Sequence, residues 1–213
     1  MKNKFENCGI TLTDKMCEHF QIYYSELIKW NKKINLISKN DEVRIIERHF
    51  LESAALSLIN EFNREAIVLD LGTGAGFPGI PLKIVSKNIT LTLLESKRMK
   101  GLFLRSVVEK LGFTKINVVC KRAESFAKSA GCKNKFDMVV CRAVADLKQT
   151  FKWALPFLKV NGKIITIKGS NFLREIIDLK LVHPQLEITF SVLPLETKIG
   201  TQTRQIVIIH QNS

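Results

Sequence analysis

The chain has 213 residues, 46% of them apolar and 25% charged. This is the balance of a globular protein large enough to bury a core, and it excludes collagenous, disulfide-scaffold and disordered chains. The net charge of +13 resides wholly in residues 97–180, where nineteen Lys and Arg face six Asp and Glu; that excess suits a fold turning one face to a polyanion, while a solvated lysine-rich surface accounts for charge alone equally well.

The first ten residues, MKNKFENCGI, contain no apolar signal core, and no later apolar run reaches bilayer length, so a cytoplasmic protein without membrane contact is expected. Five cysteines form no C-x-x-C pair, which predicts reduced, gap-filling thiols and no metal site. Two amphipathic helices open the chain. In the first, Met16, Phe20, Tyr23, Leu27 and Trp30 recur at three- and four-residue steps behind a Thr13 cap. In the second, Val43, Ile46, Phe50, Ala54 and Leu58 repeat the pattern behind Asn40 or Asp41. Helical spacing is what packing requires, so these stripes read as core, with residues 1–62 forming a cap on a domain of residues 63–213.

From residue 66 the texture changes to short β-branched runs, AIVLDLG, ITLTLLES, INVVC, FDMVVCRA and KIITIKG, separated by helix-length segments such as 97–111. This alternation predicts an α/β fold, a mostly parallel twisted sheet with helices on both faces. LEITFSVLPL and RQIVIIH, separated by a polar stretch containing Gly200, read as two late strands with the last antiparallel. Neither an internal repeat nor a low-complexity linker interrupts the chain.

The chemistry concentrates in Val68-Leu69-Asp70-Leu71-Gly72-Thr73-Gly74-Ala75-Gly76-Phe77-Pro78-Gly79, a buried strand running into a glycine turn and then a helix whose first turn tolerates Pro78 and Pro81. In an open parallel sheet ligands bind at such strand ends, and glycine lets backbone approach them without a Cβ. Glu95 ends the second strand about twenty residues later, where a carboxylate accepts hydrogen bonds from both hydroxyls of a ribose. A nucleoside cofactor is indicated. Gly74-x-Gly76-x-x-Gly79 also satisfies the dinucleotide fingerprint, so the glycines alone serve NAD equally well. Arg122-Ala123-Glu124 and Cys141-Arg142-Ala143 follow the third and fourth strands and belong on the same sheet edge.

DLGTGAGFPGIPL, LLES at 93–96, RAES at 122–125, CRA at 141–143 and IKG at 167–169, with WNKKINL and ERHFLES upstream, together resemble the small-subunit (16S) ribosomal RNA methyltransferase G family, also called glucose-inhibited division protein B. The resemblance covers almost the whole chain. It implies a Rossmann-like methyltransferase fold, S-adenosylmethionine as cofactor, and methyl transfer to N7 of a guanine in 16S rRNA or the small ribosomal subunit. It further implies that Gly72, Phe77, Ala123, Glu124 and Arg142 hold the cofactor; Gly74 belongs to the same glycine turn, and Glu95 matches the acidic position at the ribose. One departure is Met99-Lys100, where the family places two adjacent basic residues. Guanine N7 carries a lone pair and no proton, so no general base is expected and catalysis reduces to alignment; His49 is the one histidine that invites a test. Lys97, Arg98, Lys100, Lys168 and Arg204 are candidate RNA contacts, and a monomer is expected.

Overall fold

The computed structural model describes residues 1–193 and 203–211. Seven strands, β1 (Ala66–Leu71), β2 (Ile89–Glu95), β3 (Ile116–Cys120), β4 (Phe136–Arg142), β5 (Leu158–Lys168), β6 (Glu187–Val192) and β7 (Gln205–His210), form one sheet in the order β3-β2-β1-β4-β5-β7-β6. The first five pair in parallel, and β7 runs antiparallel to both neighbours. The expected mostly parallel sheet with an antiparallel last strand is therefore observed; the connection carrying Gly200 lies outside the described residues.

The chain leaves β1 for β2 on one side and later returns to β4 on the other, so strand order reverses between β1 and β4. A crevice opens at such a reversal, beyond the carboxyl ends of the strands. The register Asp70↔Leu93 and Asp70↔Val140 brings the ends of β1, β2 and β4 level there.

Helices α5 (Gly79–Val85), α6 (Arg98–Leu111), α7 (Ala123–Phe126), α8 (Leu147–Ala154) and α9 (Phe172–Val182) follow β1 to β5 in turn. Apolar side chains on the two sides of the sheet gather into two clusters, one centred on Val68, Leu91 and Val140, the other on Leu69, Val139 and Ile164. That division follows from the alternation of side chains along a strand buried on both faces.

The N-terminal region departs from expectation in two places. A short helix, α1 (Lys2–Glu6), precedes the two expected and buries Phe5. α2 (Asp14–Asn31) forms as expected, with the Thr13 hydroxyl accepting from the Met16 amide and Phe20, Tyr23 and Leu27 buried. The second helix is not continuous: α3 (Lys39–Glu42), capped by Ser38 and not by Asn40 or Asp41, gives way to a π-helical turn over Ile45–Leu51, then to α4 (Glu52–Ala54) and a 3₁₀ turn over Ala55–Leu58. A π turn adds residues to each revolution and breaks the 3.6-residue stripe. Val43 is left 85% exposed and Leu58 37%, while His49 and Glu52, polar by type, turn inward.

Candidate functional site

β1 ends in a turn whose glycines have positive φ, 67° at Gly72, 60° at Gly74 and 98° at Gly76. The left-handed region strains any side chain with a Cβ, which explains the spacing. Asp70 holds the turn from beneath: one carboxylate oxygen accepts from the Thr73 hydroxyl and from the Gly79 amide, the latter at 2.7 Å. Burial pushes the Asp70 carboxyl up to about 7, opposed by those two hydrogen bonds. From above, the buried Tyr23 hydroxyl donates to the Ala75 carbonyl at 2.5 Å, so α2 fastens the turn as well.

Glu95 stands where β2 ends and is buried. Its Oε2 accepts from the Gly74 amide at 3.0 Å and its Oε1 from the Lys97 amide at 2.7 Å. Each carboxylate oxygen retains capacity to accept from a ligand hydroxyl. Glu95, Gly72, Ala123, Glu124, Val144 and Trp153 line a cavity of about 130 Å³. Glu124 accepts from the Trp153 indole at 2.6 Å; its own backbone amide and that indole hold its carboxyl below the usual range.

On the other side of Val144 lies a larger cavity, about 520 Å³, lined among others by His49, Glu52, Arg142, Asp146, Lys168 and Arg204. Arg142 ends β4 and donates to the Arg48 carbonyl at 2.6 Å and to Glu52 Oε2 at 3.3 Å, with His49 Nδ1 a further contact. Its guanidinium lies 5.1 Å from the centre of the Phe77 ring, on which the His49 ring also stacks at 4.8 Å. The next residue, Ala143, has φ 52°, an uncommon conformation outside glycine and frequent at functional sites. Burial, then the Arg142 charge, pulls His49 down to about 3, so it is neutral near pH 7. Cys141, pushed up to about 11 by burial, remains a thiol, as expected for a gap-filling cysteine.

The glycine turn, Glu95 and the residues after β3 and β4 thus share one sheet edge. Among the basic candidates, Lys97 and Arg98 are exposed and Lys100 is half-buried, with its ammonium beside Gly74. Lys168 differs: it is 8% exposed and donates to the Ala145 carbonyl at 2.6 Å and to Glu175 at 2.7 Å. Its ammonium braces the cavity wall and does not stand free on the surface. Arg204, on the segment entering β7, donates to Glu52 at 3.3 Å. Sequence reasoning missed Tyr23 as a turn anchor, and it missed Glu52, Val144 and Trp153. None carried a signal in its spacing: on the helix expected behind Asn40 or Asp41, Glu52 falls opposite the apolar stripe.

The family model described as rRNA small subunit methyltransferase G matches residues 16–199. The chain belongs to this family. A ribosomal RNA small subunit methyltransferase G of Thermoanaerobacter sp. is 41% identical over 168 residues, 79% of this chain and 70% of that protein. The one of Oceanobacillus iheyensis is 35% identical over 210 residues, 94% of this chain and 85% of that protein. Among solved structures, M. jannaschii TYW2 in complex with AdoMet superposes with a TM-score of 0.58 at 17% identity, covering 84% of this chain and 78% of that one. A predicted O-methyltransferase from Agrobacterium tumefaciens gives 0.59 at 20% identity, over 76% and 81%. These likenesses show the Rossmann-like fold. As a member of the methyltransferase G family the chain is an S-adenosylmethionine-dependent methyltransferase, which resolves the ambiguity of the glycine fingerprint against NAD. Among the described residues no helix is long and apolar enough to cross a membrane, and no cluster of side chains suits a metal ion.

Proposed function

We propose that this methyltransferase modifies N7 of a guanine in 16S rRNA, alone or within the small ribosomal subunit, as a cytoplasmic monomer. The observation that carries the reading is the convergence of Gly72, Glu95 and Arg142 on two cavities that share Val144. The smaller cavity suits a nucleoside. The Glu95 carboxylate would accept from its ribose hydroxyls, Gly72 and Gly74 give it backbone to lie against, and Ala123, Glu124 and Trp153 form the wall beside it. Arg142, packed on the Phe77 ring, borders the larger cavity, where its guanidinium suits the carboxylate of the cofactor's amino-acid end. When bound, S-adenosylmethionine supplies an electrophilic methyl group on sulfur.

The protein's own work is alignment and exclusion of water. Guanine N7 presents a lone pair, so no side chain has to remove a proton, and a neutral His49 stacked under Phe77 has no acid–base task. Its ring and the Phe77 ring instead form the floor beneath Arg142. The methylated base is cationic, and Glu52, which accepts from both Arg142 and Arg204, offsets the positive charge already in the cavity. Lys97, Arg98 and Lys100, at the start of α6 beside the glycine turn, are positioned to meet RNA phosphates, with Arg204 on the far side of the larger cavity. Such contacts make affinity fall steeply with salt.

The decisive experiment incubates the protein with labelled cofactor and small-subunit RNA, then maps the modified nucleotide and atom. Label on guanine N7 is expected; label on another atom, or none with a folded, cofactor-binding protein, overturns the assignment. Light scattering in the same buffer gives the oligomeric state.

A further inference from the structure

A third concavity adjoins the large cavity. It is a groove of about 480 Å³ between α8 and α9, lined by Lys148, Phe151, Lys152, Leu155 and His183 among others, and Asp146 borders both it and the large cavity. Asp146 is already engaged as the N-cap of α8, accepting from the Gln149 amide at 2.7 Å, and no other carboxylate lines the groove. Lys148 and Lys152 lie four residues apart on α8, hence on one helix face. Among the described residues neither forms an ion pair. Neither ammonium is held by a carboxylate among these residues, though the Lys152 charge also acts on Glu124 at longer range. His183, where α9 ends, is half-buried on Phe151, with ring centres 4.9 Å apart. An imidazole backed by a buried phenyl ring and partly open to solvent is a platform for a planar base.

We propose that this groove holds the nucleotide next to the target guanine, its base stacked on His183 and its flanking phosphates on Lys148 and Lys152. The inference rests on the reading of the chain as an RNA methyltransferase. Cations beside an aromatic floor are what single-stranded nucleic acid recognises, and the shared border at Asp146 makes the groove continuous with the larger cavity, whose space beyond the cofactor's amino-acid end the guanine would take. A nucleotide displaced from its helix to present N7 brings its neighbour along the strand into this groove. The residues involved, in the basic stretch and just after it, give that charge a local purpose.

The test measures binding of a labelled small-subunit RNA fragment by fluorescence anisotropy at several salt concentrations, without cofactor. Lys148→Gln with Lys152→Gln is expected to lower the slope of log affinity against log salt by about 1.4, two single-strand phosphates at about 0.7 each. His183→Ala is expected to weaken binding on the order of tenfold with an unchanged slope, and His183→Tyr to restore it, because a phenol also stacks. Cofactor affinity, measured by calorimetry, is expected to remain at the wild-type value in all three. A wild-type slope in the lysine variant, or a His183→Tyr variant no better than His183→Ala, overturns the proposal. A wild-type protein that binds cofactor but no RNA would instead remove the functional reading on which the inference stands.

Discussion

Replacing Gly72 with alanine tests the cofactor site where its wall meets Val144. An ideal Cβ on Gly72 would lie 3.0 Å from Val144 Cγ2 and 3.1 Å from Val144 Cγ1, at a residue whose φ is 67°. Two costs follow. Holding an L-residue in the left-handed region costs about 1–2 kcal/mol, and pressing a methyl into a packed neighbour about 1–3 kcal/mol. The expected destabilisation is therefore about 2–5 kcal/mol, which leaves a protein of ordinary stability folded at room temperature and lowers Tm by about 4–20 °C. Val144 lines both cavities, so relieving the clash displaces it into the space assigned to the cofactor, and affinity for S-adenosylmethionine is expected to drop at least about tenfold. Adding Val144→Ala separates the two costs: the steric share, about 1–3 kcal/mol, should return in the double variant and the dihedral share should remain. Thermal unfolding and calorimetric titration of all four proteins give the cycle. Wild-type cofactor affinity in Gly72→Ala, or no coupling between the positions, would refute the placement of Gly72 against Val144.

Three further outcomes are expected. Tyr23→Phe removes the hydroxyl that bonds the Ala75 carbonyl and should destabilise the fold by about 1–3 kcal/mol, the penalty for an unsatisfied buried acceptor, while weakening cofactor binding, as read by denaturant melts and calorimetry. Ala143→Gly relieves a left-handed alanine; net of the extra entropy of its unfolded chain it should leave stability unchanged or raise it by about 1 kcal/mol, whereas Ala143→Val should lower Tm. His49, folded at about 3, binds no proton in the native state between that value and about 6.5, where the unfolded chain does, so its contribution to stability is lost as pH falls through that window, at up to about 1.4 kcal/mol per pH unit. Asp70, raised to about 7, acts with the opposite sign and destabilises as pH rises from about 4 to 7. His49→Gln should consequently gain stability relative to the wild type at about pH 5 compared with about pH 8, and the single-turnover methyl-transfer rate should show no limb near neutrality that vanishes in His49→Ala.

The five parallel strands were legible because each carries an apolar, partly β-branched run closed by Gly or a charged residue, and the parallel order follows once helix-length segments separate them. Residues 39–58 were not, because a period of 3.6 was assumed where the backbone takes a π turn: Val43 and Leu58 fit the stripe and are exposed, while His49 and Glu52 break it and are buried. π turns are rare and tend to occur at functional sites. In the site, Gly72, Glu95 and Arg142 were legible as motif residues at strand ends. Val144, Trp153 and Tyr23 were not, since each acts through a tertiary contact that no spacing along the chain encodes. Lys168 illustrates the converse: its residue type suggests a surface charge, yet the carboxylate that pairs with it, Glu175, sits seven residues on, across the turn from β5 into α9.

The same contacts bear on whether residues 1–62 form a separable cap. Phe5, Phe20, Tyr23 and Phe50 belong to one apolar cluster with Val68, Leu91 and Val140 of the sheet and with Leu82 of α5 and Phe103 of α6, so removing the cap would uncover apolar side chains on one side of a parallel sheet that requires cover on both. The polar contacts run the same way. Arg142 at the end of β4 meets the Arg48 carbonyl and His49, both from the π turn, while Glu52 ties it to Arg204 at the start of β7. A ligand-binding edge assembled from the first sixty residues, the centre of the sheet and its last strand cannot form piecemeal. We therefore propose that the cap and the sheet unfold in one transition, with residues 63–213 alone neither folding cooperatively nor retaining S-adenosylmethionine. A truncated chain that melts cooperatively and binds the cofactor would show the cap to be an accessory and would relocate the floor under Arg142 to the sheet alone.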